Sequence, residues 1–415
     1  MARDNLIVGL DIGSTAVRVV VGQKAEQDNK LHVIGAVEGP AQGINKGVIT
    51  SVEDAVSSIS SVLEKVERMV GQPIEHAWVG VSGSHITTQE SRGVIAVSRP
   101  DGEVGPDDAE RAIEAAKAVA TPPNYEMLHV IPKSFTVDSQ AGIKDPVGMT
   151  GIRLEVETQM IQGLTAQIKN LTKCVYRTGL DIDDLVLSVL ATSESVLTNR
   201  QKELGVVVIN VGGSTTSMAV FEEGDVLHTA VLPVGSEYIT NDIALGLRIS
   251  VDTAEKIKVR EGSALPKEFK KGDEIDYDNV NGLEDGTFSK KTVAEIIEAR
   301  VEEIMEKVDK ELKDIGKSGM LPAGAVLTGA GAKLPGMVEV AKDVLRLPAS
   351  LGYSQELISN IDQVNDISFT TAVGLVLWGS QLQQGEGVGK FSPMRIKSVD
   401  KAVSQMKKIF KSLLP

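Results

Sequence analysis

One short pattern occurs twice, once in each half of the 415-residue chain, and it constrains the fold more than any other feature. The first copy is DIGST at 11–15, and the second is NVGGSTT at 210–216. Apolar segments flank both copies, at 6–10 and 17–21 in one case and at 206–209 and 217–221 in the other. Each copy therefore predicts two buried strands joined by a tight turn of glycine, serine and threonine.

A turn of this kind can direct several backbone N–H groups and hydroxyls at one anion. Either copy taken singly is more typical of an ordinary hairpin than of an anion site. The two together predict a phosphate chain held between two related lobes. A third element supports this prediction, because an apolar strand at 325–328 leads through Gly329, Ala330 and Gly331 into a predicted helix at 336–345. Such a backbone can approach a base or a sugar closely. The turn lacks the following glycine and acidic partner of a Rossmann fingerprint and the lysine of a GTPase phosphate loop.

Composition places limits on fold and partners. With 42% apolar residues, the chain can bury a large core and is long enough for more than one domain. Apolar strands alternate with charged helices such as 107–120 and 292–315, which predicts an α/β fold. The single cysteine, Cys174, is interpreted as a small core residue. A net charge of −14 disfavours nucleic acid as a partner.

The C-terminal segment differs from the acidic remainder of the chain. Residues 396–415 carry five lysines and one aspartate. On a helical wheel the apolar residues share one arc and every lysine lies outside it, which predicts an amphipathic helix with a basic polar face. Docking on the protein's own body is the alternative, but the basic face and a flexible linker at 381–395 favour an anionic membrane surface. The expected membrane-contacting residues are Val403, Met406, Lys407, Ile409, Phe410, Lys411, Leu413 and Leu414.

The three turn elements match, in order and spacing, the two phosphate loops and the adenosine loop of the actin-like ATPase superfamily. Further segments at 148–157, 235–247 and 254–258 resemble the FtsA family of bacterial division proteins, and the resemblance covers essentially the whole chain. It implies an α/β, two-lobed actin-like ATPase fold with an inserted small subdomain and a C-terminal amphipathic helix. The implied boundaries are 1–81 and 164–200 for the first lobe, 82–163 for the inserted subdomain, 201–380 for the second lobe with an outer part at about 255–315, 381–395 for the linker and 396–415 for the membrane-targeting helix.

The resemblance implies ATP and Mg²⁺ as cofactors. Asp11 is the expected metal-holding residue, since carboxylates, often through water, are ligands that Mg²⁺ prefers; a turn-capping aspartate is the alternative. For Glu255 and Lys258, on one face of a helix, a surface ion pair is the alternative. The implied nucleotide-binding residues are Asp11, Gly13, Ser14, Thr15, Asn210, Gly212, Gly213, Ser214, Thr215, Gly235, Glu255, Lys258, Gly329, Ala330, Gly331 and Lys333.

Position 210 departs from the superfamily pattern, which usually has aspartate there. Asparagine keeps the size and an acceptor oxygen but loses the charge that holds metal-bound water. Because phosphoryl transfer depends on positioning and charge neutralisation, we expect nucleotide binding to survive and any ATPase activity to be slow. Glu194 is the candidate to orient an attacking water, with a helix N-terminal role as the alternative. The predicted catalytic residues are thus Glu194 and Asn210.

The resemblance implies a filament-forming adaptor that tethers FtsZ to the cytoplasmic face of the cell membrane at the division septum. The implied partners are the acidic C-terminal tail of FtsZ, anionic membrane lipids, further copies of the chain and other division proteins. Arg300 is the candidate anchor for the FtsZ tail, and an intrahelical pair with Glu303 is the alternative. Two other functions stay open: a pilus-assembly scaffold related to FtsA, and a small-molecule kinase of the same fold.

Overall fold

The computed structural model of the chain describes residues 6–24, 31–120, 122–276, 287–355 and 358–383. In chain order the strands are β1 (Leu6–Ile12), β2 (Ala16–Lys24), β3 (Leu31–Pro40), β4 (Ile44–Asn45), β5 (Val48–Ile49), β6 (His76–Val81), β7 (Ile86–Ala96), β8 (Tyr125–Val137), β9 (Gln140–Ile143), β10 (Arg153–Leu164), β11 (Asp181–Leu187), β12 (Val206–Val211), β13 (Thr216–Glu222), β14 (Asp225–Leu232), β15 (Glu274–Asp276), β16 (Thr287–Ser289), β17 (Ala325–Thr328), β18 (Ala349–Leu351) and β19 (Ile358–Ser359). The helices are α1 (Val52–Val70), α2 (Pro106–Ala120), α3 (Thr165–Arg177), α4 (Ser188–Val196), α5 (Asn199–Leu204), α6 (Ser236–Leu247), α7 (Val251–Glu261), α8 (Lys290–Asp314), α9 (Met337–Leu345) and α10 (Thr370–Gln383).

Two sheets of related topology form the body of the molecule. The first has the order β11-β6-β1-β2-β3-β19, and the second has the order β14-β13-β12-β17-β18. In the first sheet β1 pairs antiparallel with β2 and parallel with β6. In the second sheet β12 pairs antiparallel with β13 and parallel with β17. The same five-strand arrangement is therefore built twice, and each sequence pattern lies at the turn between its first two strands.

Local sequence explains how α1 covers the first sheet. Ser51 caps its N-terminus by accepting from the Asp54 N–H, and Gly71 ends it in the left-handed conformation, as helix signals of these types predict. Ile59, Val62 and Val66 are fully buried against the sheet. Fully burying one such side chain contributes about 1.5–3 kcal/mol. This packing holds α1 against β2 and β3 of the first sheet.

The inserted subdomain is a separate antiparallel sheet of order β7-β10-β8-β9 with its own small core under α2. It joins the first lobe through His129, whose buried Nε2 accepts the Leu187 N–H at 2.9 Å just before α4. It also contacts the second lobe, where Thr88 Oγ1 donates to the Thr229 carbonyl at 3.1 Å. The insert therefore lies against both lobes.

The outer part of the second lobe contains α6, α7, α8 and the paired strands β15 and β16, and residues 277–286 between these strands lie outside the described residues. Val301, Ile304 and Val308 of α8 are fully buried in the core of this lobe. The long charged helix expected at 292–315 thus buries one face in the core of the second lobe, because its apolar residues recur at helical spacing.

The C-terminal end of the described chain corrects one predicted boundary. Strand β19 pairs with β3 of the first lobe, and α10 packs in the first-lobe core through side chains that include Val373, Leu375 and Trp378. Residues 358–383 therefore return to the first lobe, whereas we assigned everything up to 380 to the second. Helix α10 also continues past the predicted linker start at 381. The physical reason is that α10 has apolar residues around its whole circumference, so it is stable only where neighbouring elements bury it on every side.

Candidate nucleotide site between the lobes

The two glycine turns have the same backbone geometry. The Gly13 N–H donates to the Ala16 carbonyl at 3.0 Å, and the Gly212 N–H donates to the Thr215 carbonyl at 2.9 Å. At either glycine, an added Cβ would approach that same acceptor oxygen to 2.9 Å. A side chain at these positions would crowd the hydrogen bond that closes the turn, so both turns need glycine.

The turns face each other across the boundary between the lobes. An added Cβ at Gly213 would lie 3.2 Å from the Thr15 hydroxyl oxygen, so the bare glycine permits this approach. Below the turns, the Ser82 and Ser217 hydroxyls are 3.1 Å apart and connect the two sheets. Ser14 accepts from the Gly47 N–H at 3.3 Å, which ties the first turn to the β4–β5 hairpin.

The second turn is held by the N-terminus of α6. The Ser236 and Glu237 N–H groups donate to the Gly212 and Gly213 carbonyls, each at 2.9 Å. The buried Ser214 hydroxyl donates to Glu237 Oε2 at 2.5 Å. An added Cβ at Gly235 would lie 2.7 Å from the Gly212 carbonyl oxygen. Gly235 thus supports the loop from behind and is not among the residues that line the cleft.

Two adjacent cavities occupy the cleft. The smaller, of about 80 Å³, lies between the two turns, and its lining includes Asp11, Asn210 and Gly329. The larger, of about 700 Å³, extends between α6, α7 and the turn after β17. Thr15, Gly213 and Ala330 line both. The larger volume lies in the range of small-molecule and cofactor sites, so phosphates and a nucleoside have room side by side.

Three charged residues that line the larger cavity take part in ion pairs. Lys258 Nζ lies 2.6 Å from Glu255 Oε2 and 2.8 Å from Thr240 Oγ1. Lys333 Nζ lies 2.5 Å from Asp366 Oδ2, and this ammonium group helps to hold the pKa of that carboxyl below its usual range although burial opposes the effect. The ion pair that we considered as the alternative for Glu255 and Lys258 is therefore present, yet Glu255, Lys258 and Lys333 all line the cavity.

Asp11 is the penultimate residue of β1 and lines the smaller cavity. Burial raises the pKa of its carboxyl group from 3.8 to about 6, because the charged form loses hydration, while Arg18 opposes the shift and Glu38 adds to it. Arg18 is its cross-strand partner in β2, and Arg18 Nε lies 2.6 Å from Glu38 Oε2 on β3. Arg18 also lines the smaller cavity. Sequence reasoning did not identify this residue, although an arginine within the apolar segment at 17–21 is a visible signal.

The number of carboxylates that line the cleft limits how the protein could hold a magnesium ion. Asp11 is the single carboxylate that lines the smaller cavity. Among the described residues, no group of three or more His, Cys, Asp and Glu side chains has the geometry to hold a metal ion. One carboxylate beside phosphate oxygens is the usual protein share of a magnesium–nucleotide site, so Asp11 fits that role.

Asn210 lies between the second turn and the helices that connect the lobes. Its Nδ2 donates to Thr371 Oγ1 at 3.1 Å and to Thr192 Oγ1 at 3.4 Å. Gly329 stands beside it with φ +85°, a left-handed conformation that favours glycine. Thr371 is a second residue of the cleft that sequence reasoning missed, since only the return of α10 brings it there.

The structure does not bring Glu194 to the cleft. Its Oε1 lies 2.8 Å from Lys202 Nζ, both side chains are largely buried, and Glu194 is absent from the lining of the two cavities. Lys202 Nζ in turn lies 5.4 Å from the centre of the Phe221 ring. The prediction that Glu194 orients an attacking water is therefore wrong for this conformation, because its charge is neutralised within the packing of α4 and α5.

Arg300 also forms ion pairs with other residues of this chain. Its Nε and Nη2 donate to the Asp242 carboxylate at 2.5 and 3.0 Å, and Nη1 donates to Glu303. The pair with Glu303 that we considered as the alternative is present, and the bidentate partner on α6 was not expected. Arg300 thus joins α8 to α6.

The predicted membrane-contacting residues, Val403 to Leu414, lie outside the described residues, as does the linker from 384 onward. Within the described part of the chain, no helix is both long and apolar enough to span a bilayer.

Comparison with known proteins gives the family. The model of "Cell division protein FtsA" matches residues 207–374, and the model of the "SHS2 domain inserted in FTSA" matches residues 83–162. The cell division protein FtsA of Pseudomonas aeruginosa is 39% identical over 91% of this chain and 90% of its own length.

Two solved structures share the fold. A PilM–PilN type IV pilus biogenesis complex chain has a TM-score of 0.66 at 14% identity, over 90% of this chain and 98% of its own. MreB5 of Spiroplasma citri bound to ADP has a TM-score of 0.54 at 14% identity, over 93% and 99%. These structures confirm the predicted two-lobed actin-like fold, and the SHS2 match confirms the inserted subdomain. On sequence and fold together, the chain belongs to the FtsA family of cell division proteins.

Proposed function

We propose that this chain binds ATP with magnesium in the interlobe cleft and acts as a filament-forming adaptor that tethers FtsZ to the cytoplasmic face of the membrane at the septum. The observation that carries the nucleotide part is the pair of matching glycine turns, which face each other beside a cavity of about 700 Å³. The MreB5 structure that shares the fold is bound to ADP, which agrees with this assignment.

In this proposal the two turns hold the phosphates and the larger cavity holds the nucleoside. Glycine turns expose backbone N–H groups, and the hydroxyls of Ser14, Thr15 and Thr215 stand beside them. Asp11 holds the magnesium ion, directly or through water, and the ion neutralises phosphate charge. Gly329, Ala330 and Gly331 form the backbone wall between phosphates and nucleoside, where a side chain at 329 would meet the Val211 carbonyl group.

Hydrolysis is slow in this proposal because the smaller cavity offers one carboxylate. The Asn210 amide is committed to Thr371 and Thr192, and Glu194 is paired with Lys202. A small-molecule kinase of this fold would need a second carboxylate as a base near the phosphates. The lining of the smaller cavity therefore favours a nucleotide-dependent adaptor over a kinase, and membership of the FtsA family favours it over a pilus scaffold.

The adaptor role combines the family with the basic amphipathic segment at 396–415. One such tail binds anionic lipid reversibly, and a filament of many copies attaches stably through many tails. The acidic FtsZ tail is placed on the outer part of the second lobe. There it engages Arg300 only by displacing Asp242 or Glu303, which makes Arg300 a competitive contact rather than a free one.

Nucleotide binding is tested by a matched pair of glycine substitutions. Gly329 and Gly179 both have φ +85°, but an added Cβ meets the second turn at Gly329 and meets no atom within 4 Å at Gly179. After removal of copurified nucleotide, ATP with magnesium should raise the melting temperature of the parent chain and of Gly179→Ala by mass action. Gly329→Ala should lose this increase.

The comparison separates strain from site geometry, because both variants carry the same left-handed alanine. If ATP raised the melting temperatures of the two variants equally, Gly329 would not be part of the nucleotide site. A parent chain that shows no melting shift at millimolar ATP would overturn the nucleotide-binding proposal.

A further inference from the structure

The β4–β5 hairpin of the first lobe lies at the cleft, where Gly47 lines the smaller cavity. Its two-residue turn, Lys46-Gly47, has φ of +50° and +73°, which is the pattern of a type I′ turn. Gly47 permits close packing, because an added Cβ would lie 2.7 Å from the Ser82 carbonyl carbon. The tip of this hairpin is therefore tightly defined although it is only four paired residues long.

Hydrogen bonds fix the tip to the phosphate side of the cleft. The Lys46 carbonyl accepts the Ser84 N–H at 3.1 Å, and the Gly47 N–H donates to Ser14 Oγ of the first turn at 3.3 Å. Any movement of the first phosphate turn relative to the second lobe must therefore carry Lys46 with it.

The side chain of Lys46 crosses to the second lobe. Its Nζ lies 5.4 Å from the centre of the Tyr238 ring, which belongs to α6. The Arg300 guanidinium lies 5.6 Å from the same ring and is itself held by Asp242 of α6. Both distances are within the range of cation–π attraction. Tyr238 is thus held in place by its own lobe and presents its ring to a cation from the other lobe.

We infer that Lys46 and Tyr238 are positioning residues that clasp the two lobes together over the nucleotide and so slow its release. This inference rests on the nucleotide binding proposed above. Neither Lys46 nor Tyr238 is among the residues that line the two cavities, so their effect reaches the nucleotide through lobe closure. Because the Lys46–Tyr238 contact spans the lobes, it forms when the cleft is closed and breaks when it opens.

The first measurement is the release rate of a fluorescent ADP analogue from the full chain. Lys46→Met keeps the length of the side chain and removes its charge, and Tyr238→Leu removes the ring; each should speed release roughly two- to fivefold, as expected for a partly exposed cation–π contact. Lys46→Arg and Tyr238→Phe keep the cation and the ring, so both should release at the parent rate. Lys65→Met, an exposed change on α1, is the matched control.

The double variant distinguishes a clasp from a direct phosphate contact. If Lys46 acts through the ring, Lys46→Met adds nothing further in the Tyr238→Leu background. If Lys46 binds phosphate itself, the two effects multiply, and the inference is overturned.

A second measurement does not depend on nucleotide. Spin labels at Glu64→Cys on α1 and Lys310→Cys on α8 report the distance between the lobes, and the native Cys174 is buried. Lys46→Met should lengthen or broaden the distance distribution, and Lys46→Arg should restore it. An unchanged distribution in Lys46→Met would refute the clasp whatever the nucleotide data. A changed distribution in a chain that binds no nucleotide would refute the proposed function and leave the clasp in place.

Discussion

The carboxyl group of Asp11 allows a sharp test of the site's electrostatics through the substitution Asp11→Asn. Its folded-state pKa of about 6 lies above the unfolded value of 3.8, chiefly because the group is buried. Relative to the unfolded chain, the folded chain therefore favours the protonated carboxyl group, and ionisation of Asp11 lowers the free energy of unfolding. This penalty is absent below pH 3.8, grows as the pH rises towards 6 and is complete above that. At about 1.36 kcal/mol per pKa unit, it reaches up to about 3 kcal/mol.

Asparagine has nearly the same shape and cannot ionise. We therefore expect Asp11→Asn, without nucleotide or magnesium, to be more stable than the parent chain by up to about 3 kcal/mol at neutral pH. The advantage should shrink through the acidic range and vanish near pH 4. Urea denaturation followed by tryptophan fluorescence suits this test, because both tryptophans, Trp78 and Trp378, lie in the first-lobe core that contains β1.

Glu53→Gln is the control of opposite sign in the same lobe. A hydrogen bond from Arg177 lowers the pKa of Glu53, so its charge stabilises the fold above the unfolded pKa and that contribution is lost as the pH falls. At neutral pH the free energy of unfolding of this variant should be no higher than that of the parent chain. The reasoning about Asp11 is refuted if Asp11→Asn gains no stability at neutral pH, or if its gain is the same at pH 4.

Three further predictions concern catalysis, membrane binding and stability. Asn210→Asp should raise the rate of phosphate release from ATP if metal-bound water is limiting, whereas fast turnover in the parent would show that the missing charge is supplied elsewhere. Deletion of 396–415 should abolish flotation with anionic vesicles while ATP binding is unchanged, and Phe410→Glu should act similarly; a truncated chain that still floats would rule out the tail as the anchor. Asp309→Asn should destabilise the second lobe at neutral pH: although burial opposes the shift, the Lys313 ammonium group, 2.8 Å away, and the Ser318 hydroxyl lower the pKa of the Asp309 carboxylate. Circular dichroism during heating should show this loss decreasing as the pH falls below 4, and a pH-independent loss would contradict it.

Local pattern determined much of this protein. Alternating apolar residues around a glycine-containing turn specify strand, turn and strand without help from distant residues, and this was enough to place both glycine turns. The helical spacing of Val62 and Val66, together with the cap residues Ser51 and Gly71, likewise specifies α1 from local sequence. The glycines at 13 and 212 were predictable for the same reason, because the turn itself excludes a side chain.

Only the tertiary structure decided which charged side chains are available. Glu194 and Arg300 looked suitable by residue type, but Lys202 and Asp242 neutralise them across packed helices. The return of α10 to the first lobe brings Thr371 to Asn210, across most of the second half of the chain. Contacts of this kind depend on how elements pack. A sequence pattern describes one element at a time, so it identifies the groups that can bind a nucleotide and leaves their partners to the fold.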